Sequence, residues 1–283
     1  MRKLFTLIFA IIVLICLISC SNDDQSSFSI QFIDVGQGDA ALVECDGHYM
    51  LIDGGDTFAG ETVYNVLKYQ GVNKLDMLVM SHLHADHIGG LPKALTYISD
   101  IGCTLSNSDY SDTKVFKELE HELYRKSGNG SKITVPAVGD AYDLGSATVE
   151  VIASSSKSHN DSLVLLITYG KTRFVFSGDI EENMQTNISD KYENDKDQTF
   201  DIDLIKMPHH GAYTGTLYRY LRTFMPEYAI ISVGDNNYGH PQKETLDLLS
   251  SKGLESKIYR TDINGDIVVR SDGKELSFEL ANS

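Results

Sequence analysis

A dense cluster of metal-ligand residues places the strongest constraint on how this chain folds. Three histidines and an aspartate lie between His82 and His87, directly after the apolar run Leu75–Met80. The run is short and suits a β-strand, and the segment from Ile88 is typical of a helix. The sequence therefore predicts an α/β fold in which the cluster lies on a strand-to-helix loop.

The residue types of the cluster indicate metal binding. Imidazole nitrogens and carboxylate oxygens ligate zinc and similar divalent ions at roughly 2.0–2.2 Å. Four such groups in a tight turn do not easily reach one ion. The spacing suits two ions side by side, with His82 and His84 on one and Asp86 and His87 on the other. The alternative is a solvated loop whose histidines have no role, and the density of the cluster disfavours it.

Further polar groups flank predicted strands elsewhere in the chain. They are Asp53, His159, Asp179, His209, His210 and His240. Each alone is a weak signal, because an aspartate beside glycine at a strand end is usually a turn residue. Together with the cluster they include seven of the nine histidines, all near strand ends. If the strands lie side by side, one sheet edge brings these groups to a common site.

The order of predicted elements favours one domain of two sheets packed face to face, with helices outside. Strands are predicted at 28–33, 40–45, 49–52, 75–80, 147–153, 162–168, 173–176, 202–207 and 228–233, followed by a closing pair delimited by turns at 264–265 and 272–273. Helices are predicted at 61–69, 91–97, 113–126, 180–189 and 242–249, and loops at 127–131 and 192–198. Strands and helices alternate in both halves, and no linker separates them.

The first residues resemble a bacterial export signal. The basic segment Met1–Lys3 precedes the apolar segment Leu4–Ile18, which is too short for a comfortable transmembrane span. The end of this segment, Leu17–Cys20, resembles the lipobox of lipoprotein precursors, in which the cysteine is lipidated after cleavage. The resemblance predicts a signal peptide at 1–19, lipidated Cys20 and a tether at 20–27, and a domain at 28–283. It implies an extracytoplasmic protein anchored to a bacterial membrane; the alternatives are an ordinary signal peptide or an uncleaved anchor.

The charge balance bears on the substrate. The chain carries 24 basic and 40 acidic residues, a formal net charge of −16. Loss of Arg2 and Lys3 with the leader leaves 22 against 40, or −18. Such a surface repels polyanions, so tight non-specific binding of nucleic acid is not expected. The balance favours a smaller or zwitterionic substrate.

Two cysteines, Cys45 and Cys103, follow the predicted leader. They either pair in an oxidising compartment or remain buried free thiols, and we favour free thiols. Because the chain has no CxxC pattern, we do not expect thiolates to hold the metal.

The motifs together resemble the metallo-β-lactamase superfamily, whose HxHxDH signature is similar to His82–His87. From Phe28 to about Glu279 the chain also resembles the C-terminal hydrolase domain of ComEC-type DNA-uptake proteins and its free-standing secreted relatives. The segments that carry this resemblance are Ile33–Asp39, Leu51–Gly55, Asn160–Leu165, Phe176–Asp179, Lys206–Gly211 and Tyr238–Pro241. The resemblance implies a four-layer αββα sandwich.

The superfamily pattern also implies a ligand set for two divalent ions, with zinc expected and manganese as the alternative. The first ion takes His82 and His84, the second takes Asp86, His87 and His210, and Asp179 bridges both. His159 lies near the place of the first ion's third histidine; the alternative is a supporting or surface role. Two departures are His84, where the ComEC branch commonly has aspartate, and Ala212, where serine is usual.

Three further residues receive roles outside the ligand set. Asp53 is expected to orient ligand histidines or to hold the reacting water. His240 is expected to donate a hydrogen bond or proton to the leaving group, and its alternative is a solvent-facing loop histidine. His209 points away from its neighbour His210 in an extended chain, so we expect it to support the site or contact substrate rather than bind metal.

The resemblance implies an enzyme, a dinuclear metal-dependent hydrolase. Phosphodiester bonds are favoured, because the ComEC-like branch resembles nucleases and phosphodiesterases. The substrate is then a nucleic acid or a cell-envelope component, and no protein partner is evident. The alternatives are hydrolysis of a carbonyl ester, thioester or lactone, and a non-catalytic metal-binding surface lipoprotein.

Overall fold

Two mixed sheets form the centre of the computed structural model, which describes residues 27–126, 132–193 and 201–282. The first sheet has the order β15-β14-β1-β2-β3-β4-β5-β6 and the second the order β13-β12-β11-β10-β9-β8-β7. In the first sheet the strands are β1 (Phe28–Phe32), β2 (Ala41–Cys45), β3 (His48–Ile52), β4 (Lys74–Met80), β5 (Asp100–Ser106), β6 (Ile133–Thr134), β14 (Ile267–Ser271) and β15 (Leu276–Leu280). In the second they are β7 (Ala141–Leu144), β8 (Ala147–Ser154), β9 (Leu163–Tyr169), β10 (Thr172–Phe176), β11 (Leu204–Lys206), β12 (Tyr228–Ile231) and β13 (Lys257–Arg260).

Alternating apolar residues hold the two sheets face to face. On β1, Phe28, Ile30 and Phe32 are buried while the residues between them are only partly so. The ring centroid of Phe28 lies 4.9 Å from that of Phe174 on β10, and all these side chains belong to one core between the sheets. This period of two is what a strand with one face on a core requires.

Helices cover the outer face of each sheet. They are α1 (Gly60–Tyr69), α2 (Ala85–Ile88), α3 (Leu91–Ala94), α4 (Lys114–Tyr124), α5 (Glu182–Glu193), α6 (Tyr218–Phe224), α7 (Lys243–Leu249) and α8 (Thr261–Asn264). Apolar side chains of α1 to α4 form a core with the first sheet, and those of α5 to α7 form another with the second. The predicted αββα sandwich is confirmed.

The strand directions bring many loops to one edge of the sandwich. Strands β3 to β6 are parallel, and so are β10 to β13. Because the carboxyl ends of parallel strands lie at the same edge of a sheet, the segments that follow β3, β4, β10, β11 and β12 are grouped there. These segments carry most of the predicted site residues.

The structure corrects one part of the predicted cluster. Helix α2 begins at Ala85, not Ile88, so Asp86 and His87 lie in a short helix rather than in the loop. The sequence reading also missed β5, in which Asp100 and Gly102 weaken the strand pattern. Glycine is needed at position 102, because a Cβ there would lie only 2.6 Å from the carbonyl oxygen of Asp76 on the neighbouring strand.

Several predictions fall on residues outside the described ranges. These are the leader and tether up to residue 26, the loop at 127–131 and most of the loop at 192–198. The first two residues of that second loop, Tyr192 and Glu193, instead end helix α5. Within the described ranges, no helix has the length and hydrophobicity that crossing a bilayer requires.

The two cysteines of the domain do not pair with each other. Cys45 lies on β2 and Cys103 on β5, with β3 and β4 between them in the sheet. Both are free thiols, as predicted, but only Cys45 is buried and Cys103 is partly exposed.

Candidate metal centre

The cluster that follows β4 is fixed by backbone contacts with the turn after β3. The amide of Gly54 donates to the carbonyl oxygen of His87 at 2.7 Å, and the amide of Gly90 donates to that of Gly55 at 2.9 Å. A Cβ on Gly90 would collide with the backbone of Gly54, so only glycine permits this approach. The close packing leaves His87 completely buried.

Four predicted ligands converge beside this turn. They are Asp86, His87, Asp179 and His210, whose ligand atoms all lie within 4.8 Å of one another. His87 Nε2 is 3.3 Å from Asp179 Oδ1, and His210 Nε2 is 3.3 Å from Asp86 Oδ2. Asp86 and His87 come from the first sheet, and Asp179 and His210 from the second. The group therefore spans the seam between the sheets.

The unpaired atoms of this group fit a metal ion. His87 Nε2, His210 Nε2 and Asp179 Oδ1 are buried without a well-oriented hydrogen-bond partner among the described residues. The opposite nitrogens are engaged: His87 Nδ1 donates to Asp53 Oδ2 at 2.9 Å, and His210 Nδ1 donates to the carbonyl oxygen of Ser232 at 3.0 Å. Because a carboxylate or carbonyl oxygen only accepts, each Nε2 is left with a lone pair for a cation when the ring is neutral.

A left-handed backbone turn orients His210. Both His209 and His210 have positive φ, 49° and 51°, and Gly211 continues the turn at 81°. Non-glycine residues seldom adopt this conformation, and such strain tends to accumulate at functional sites. The turn buries His210 and directs His209 elsewhere, with its Nδ1 3.6 Å from Glu181 Oε1. The structure thus places His209 outside the ligand group.

A second group of histidines lies beside the first. His82 Nε2 is 2.8 Å from His84 Nδ1, and the rings of His84 and His159 have centroids 4.1 Å apart. Asp179 joins the two groups, because its Oδ2 lies 3.9 Å from His82 Nε2 and 3.8 Å from His210 Nε2. All seven predicted ligands are thus brought close together, with Asp179 between the two groups. Their division between two ions stays a prediction.

Asp53 lies directly behind these ligands. Its carboxylate accepts hydrogen bonds from the amide and hydroxyl of Ser81, both at 2.7 Å, and from His87 Nδ1. Burial raises the pKa of Asp53, and the His87 imidazole opposes that rise. Such contacts restrain the ring plane of a ligand histidine, and the orienting role of Asp53 stays a prediction.

The sequence reading assigned no role to Asp39, which the structure places in the same buried region. The carboxylate of Asp39 lies 2.7 Å from Lys206 Nζ and 3.3 Å from His210 Nδ1. Most predicted site residues follow the carboxyl ends of strands, whereas Asp39 precedes β2. Because β2 and β3 are antiparallel, with Ala41 opposite Ile52, the beginning of β2 lies at the same edge as the end of β3. Strand direction is the signal that identifies Asp39.

Neighbouring charges oppose the effect of burial on the pKa values of His87, His210 and Asp179. Burial alone lowers the pKa of His87 and of His210, but Asp179 and Asp53 raise the pKa of His87 well above its ordinary value. Asp179 and Asp39 raise the pKa of His210 to about 9. Burial opposes ionisation of Asp179, yet the His87 and His210 imidazoles hold its pKa well below the ordinary range. A divalent ion must displace protons from both imidazoles, so acidic pH opposes metal binding.

His240 is partly buried and lies beside His209. Its loop is fixed by Asn236, which accepts from the His240 amide at 3.0 Å and donates to the His240 carbonyl oxygen at 2.9 Å. The His240 ring centroid is 5.5 Å from that of His209, and its Nδ1 has no hydrogen-bond partner among the described residues. Burial, reinforced by the His209 imidazole, lowers the pKa of His240. His240 is therefore a neutral imidazole near pH 7, and its proposed contact with a leaving group stays a prediction.

The αββα fold and the paired ligand groups at its edge define a metal-dependent hydrolase. The model of the family described as the metallo-beta-lactamase superfamily matches residues 33–235. The chain belongs to that superfamily, and the resemblance found in the sequence is confirmed.

Curated relatives and solved structures agree with this assignment. The chain is 27% identical to ComE operon protein 3 of Bacillus subtilis over 90% of its own length and 34% of the relative's. It therefore spans about a third of the length of that relative. The metallo-beta-lactamase fold protein YhfI of Bacillus subtilis superposes with a TM-score of 0.54 at 14% identity, over 87% of this chain and all of YhfI. A diphosphatase of the PhnP family superposes with a TM-score of 0.52 at 14% identity, over 90% of this chain and 100% of its own. These two structures show the fold.

Proposed function

We propose that this metal-dependent hydrolase is a phosphodiesterase that acts outside the cytoplasm. The observation that supports it most directly is the convergence of unpaired His87 Nε2, His210 Nε2 and Asp179 Oδ1 beside a second histidine group. Two divalent ions in such a centre supply an activated water and neutralise the charge that develops on the attacked group. The resemblance of the sequence to the hydrolase domain of ComEC-type DNA-uptake proteins, with which the likeness to ComE operon protein 3 agrees, supports a phosphoester substrate rather than a β-lactam.

The chain's own residues divide the remaining tasks. Asp53 and the carbonyl oxygen of Ser232 hold two ligand imidazoles in orientation. Asp86 and His84 are partly exposed and His159 is exposed, so the substrate approaches from their side. His240, whose ring lies 5.5 Å from that of His209, donates a hydrogen bond to the oxygen that leaves. The result is an anionic phosphodiester held at a cationic centre within an acidic protein.

A substrate comparison tests this function. We expect the purified chain to hydrolyse bis-p-nitrophenyl phosphate, and to lose this activity on treatment with a chelator and regain it with zinc or manganese. A thioester, a lactone and a single-stranded oligonucleotide are assayed in parallel. Faster turnover of the thioester or lactone would favour the carbonyl reaction, and no turnover of any substrate would favour the non-catalytic binding protein. Preference for bis-p-nitrophenyl phosphate over the oligonucleotide fits the net charge of −16.

The extracytoplasmic location is a separate part of the proposal and rests on the lipobox-like segment Leu17–Cys20. A lipid on Cys20 anchors the domain by burying acyl methylenes in the bilayer. Expressed in bacteria, the wild-type chain should incorporate labelled palmitate and sediment with membranes, whereas Cys20→Ser should incorporate none. Equal labelling of both chains would exclude lipidation at Cys20. Cys103→Ser is the matched control for the effect of removing a cysteine on expression.

A further inference from the structure

A buried lysine lies behind the metal ligands. Lys206 is the last residue of β11, and its side chain is only 3% exposed. Its ammonium lies 2.7 Å from Asp39 Oδ2 and donates to the carbonyl oxygen of Met207 at 2.9 Å. Lysine is seldom buried so completely unless it is paired with an opposite charge. The carboxylate of Asp39 is that partner for Lys206.

The partner carboxylate faces two of the ligands from behind. Asp39 Oδ1 is 3.3 Å from His210 Nδ1, and Asp39 Oδ2 is 4.0 Å from His87 Nδ1. Both nitrogens are on the sides of their rings that face away from the metal position. One carboxylate therefore acts on two ligand imidazoles, and Lys206 compensates its charge.

The same region resembles an additional metal site. The ligand atoms of Asp39, Asp53 and His87 lie within 4.8 Å of one another, and all three residues are buried. However, the ammonium of Lys206 already lies against Asp39 at ion-pair distance. Repulsion between this ammonium and a divalent cation in the low-dielectric interior would strongly disfavour metal binding there.

We propose that Lys206 serves as an internal cation behind the metal centre. Its ammonium neutralises Asp39, keeps divalent metal out of the Asp39–Asp53–His87 group, and so holds the imidazoles of His87 and His210 towards the metal position. Lys206 and Asp39 are positioning residues, because they touch the ligands and not the substrate.

Removal of Lys206 should disturb the ligands in a defined way. Asp39 is then an uncompensated buried carboxylate, which is costly unless it finds another partner. The nearest candidates are His210, His87 and a metal ion, and each choice draws a ligand away from its present orientation. Substitution of residues that orient metal ligands typically weakens metal affinity about 10- to 100-fold.

The test compares Lys206→Met with a matched control, Lys126→Met. Lys126 forms a similar buried ion pair two residues after the end of α4: its Nζ is 2.7 Å from Glu122 Oε1, its side chain is 6% exposed, and it donates to the carbonyl oxygen of Leu95 at 2.6 Å. Zinc affinity is measured by competition with a chromogenic chelator, zinc stoichiometry by elemental analysis, and stability by thermal unfolding of the full chain.

Both variants should unfold at lower temperature, but only Lys206→Met should bind zinc about 10- to 100-fold more weakly. If the two variants bind zinc equally well, Lys206 has a purely structural role and the proposal is overturned. The inference rests on the metal centre proposed above. A wild-type chain that binds no zinc would remove that centre itself, so the two failures are distinguishable without measuring turnover.

A second pair of variants keeps the test decisive if Lys206→Met does not fold. Asp39→Asn leaves an unpaired ammonium behind the ligands, whereas Asp39→Asn with Lys206→Met removes both charges. The double variant should bind zinc more tightly than Asp39→Asn alone, because the buried cation no longer repels the metal. Equal zinc affinity in these two variants would contradict the proposal.

Discussion

Replacing Asp179 by alanine is expected to lower phosphodiester turnover by about 1000-fold or more. Its two oxygens lie between the groups, 3.3 Å from His87 Nε2 and 3.9 Å from His82 Nε2, so the substitution removes a carboxylate that reaches both. Loss of several kcal/mol of transition-state stabilisation corresponds to this factor. Turnover of bis-p-nitrophenyl phosphate and the metal content of the purified variant are measured together, and the metal content should also fall.

Asp203→Ala is the matched control for this experiment. Asp203 precedes β11, at the opposite end of the strand from the site, and its carboxylate accepts a hydrogen bond from the Arg173 amide at 2.7 Å. Its loss should reduce stability and leave turnover of the folded enzyme near that of the wild type. Undiminished turnover in a folded Asp179→Ala chain would refute the two-metal centre.

Replacing His240 by alanine is expected to have an effect that depends on the leaving group. A poor leaving group, such as the alkoxide of the dinucleotide dTpdT, needs a hydrogen bond as charge develops on its oxygen. p-Nitrophenolate needs little such help. We expect kcat to fall about 100-fold for dTpdT and only a few-fold for thymidine 5′-p-nitrophenyl phosphate, since loss of one donor to a developing oxyanion typically costs about 100- to 1000-fold. Steady-state kinetics on the two substrates gives the comparison.

His48→Ala controls for the loss of a histidine elsewhere. His48 begins β3 at the far end of the strand from the site, where its ring lies 3.0 Å from Asp76 Oδ1. This variant should change neither substrate's kcat. Equal losses on both substrates in His240→Ala would show that His240 supports the structure of the site rather than the leaving group.

The sequence predicts the architecture, and the convergence of the candidate ligands, well because their signals are local. The spacing of His82–His87 after an apolar strand is readable from neighbours alone. Asp53 follows its strand directly, and Asp179 follows its own within three residues. Helix α4 is equally readable, because Thr113 caps it and accepts from the Phe116 amide at 3.3 Å. Where residues close together in sequence determine the local structure, the sequence pattern is sufficient to predict it.

Long-range pairing sets the limit of what could be predicted. The roles of Asp39 and Lys206 depend on a contact between residues far apart in sequence and in different sheets. Nothing near either residue indicates that contact. The left-handed turn at His209 and His210 was missed for a related reason: the surrounding structure, not the residues' own preference, imposes it. Conformational propensity predicts helices and strands, whereas tertiary contacts determine features such as this left-handed turn.

The position of the ligands at the seam has a mechanical consequence. His82, His84, Asp86 and His87 follow a strand of one sheet, and Asp179 and His210 follow strands of the other. A bound ion would therefore cross-link the two halves of the sandwich through its ligands. Since binding to the folded chain alone adds to its stability, metal scarcity weakens cohesion at this edge first, together with catalysis.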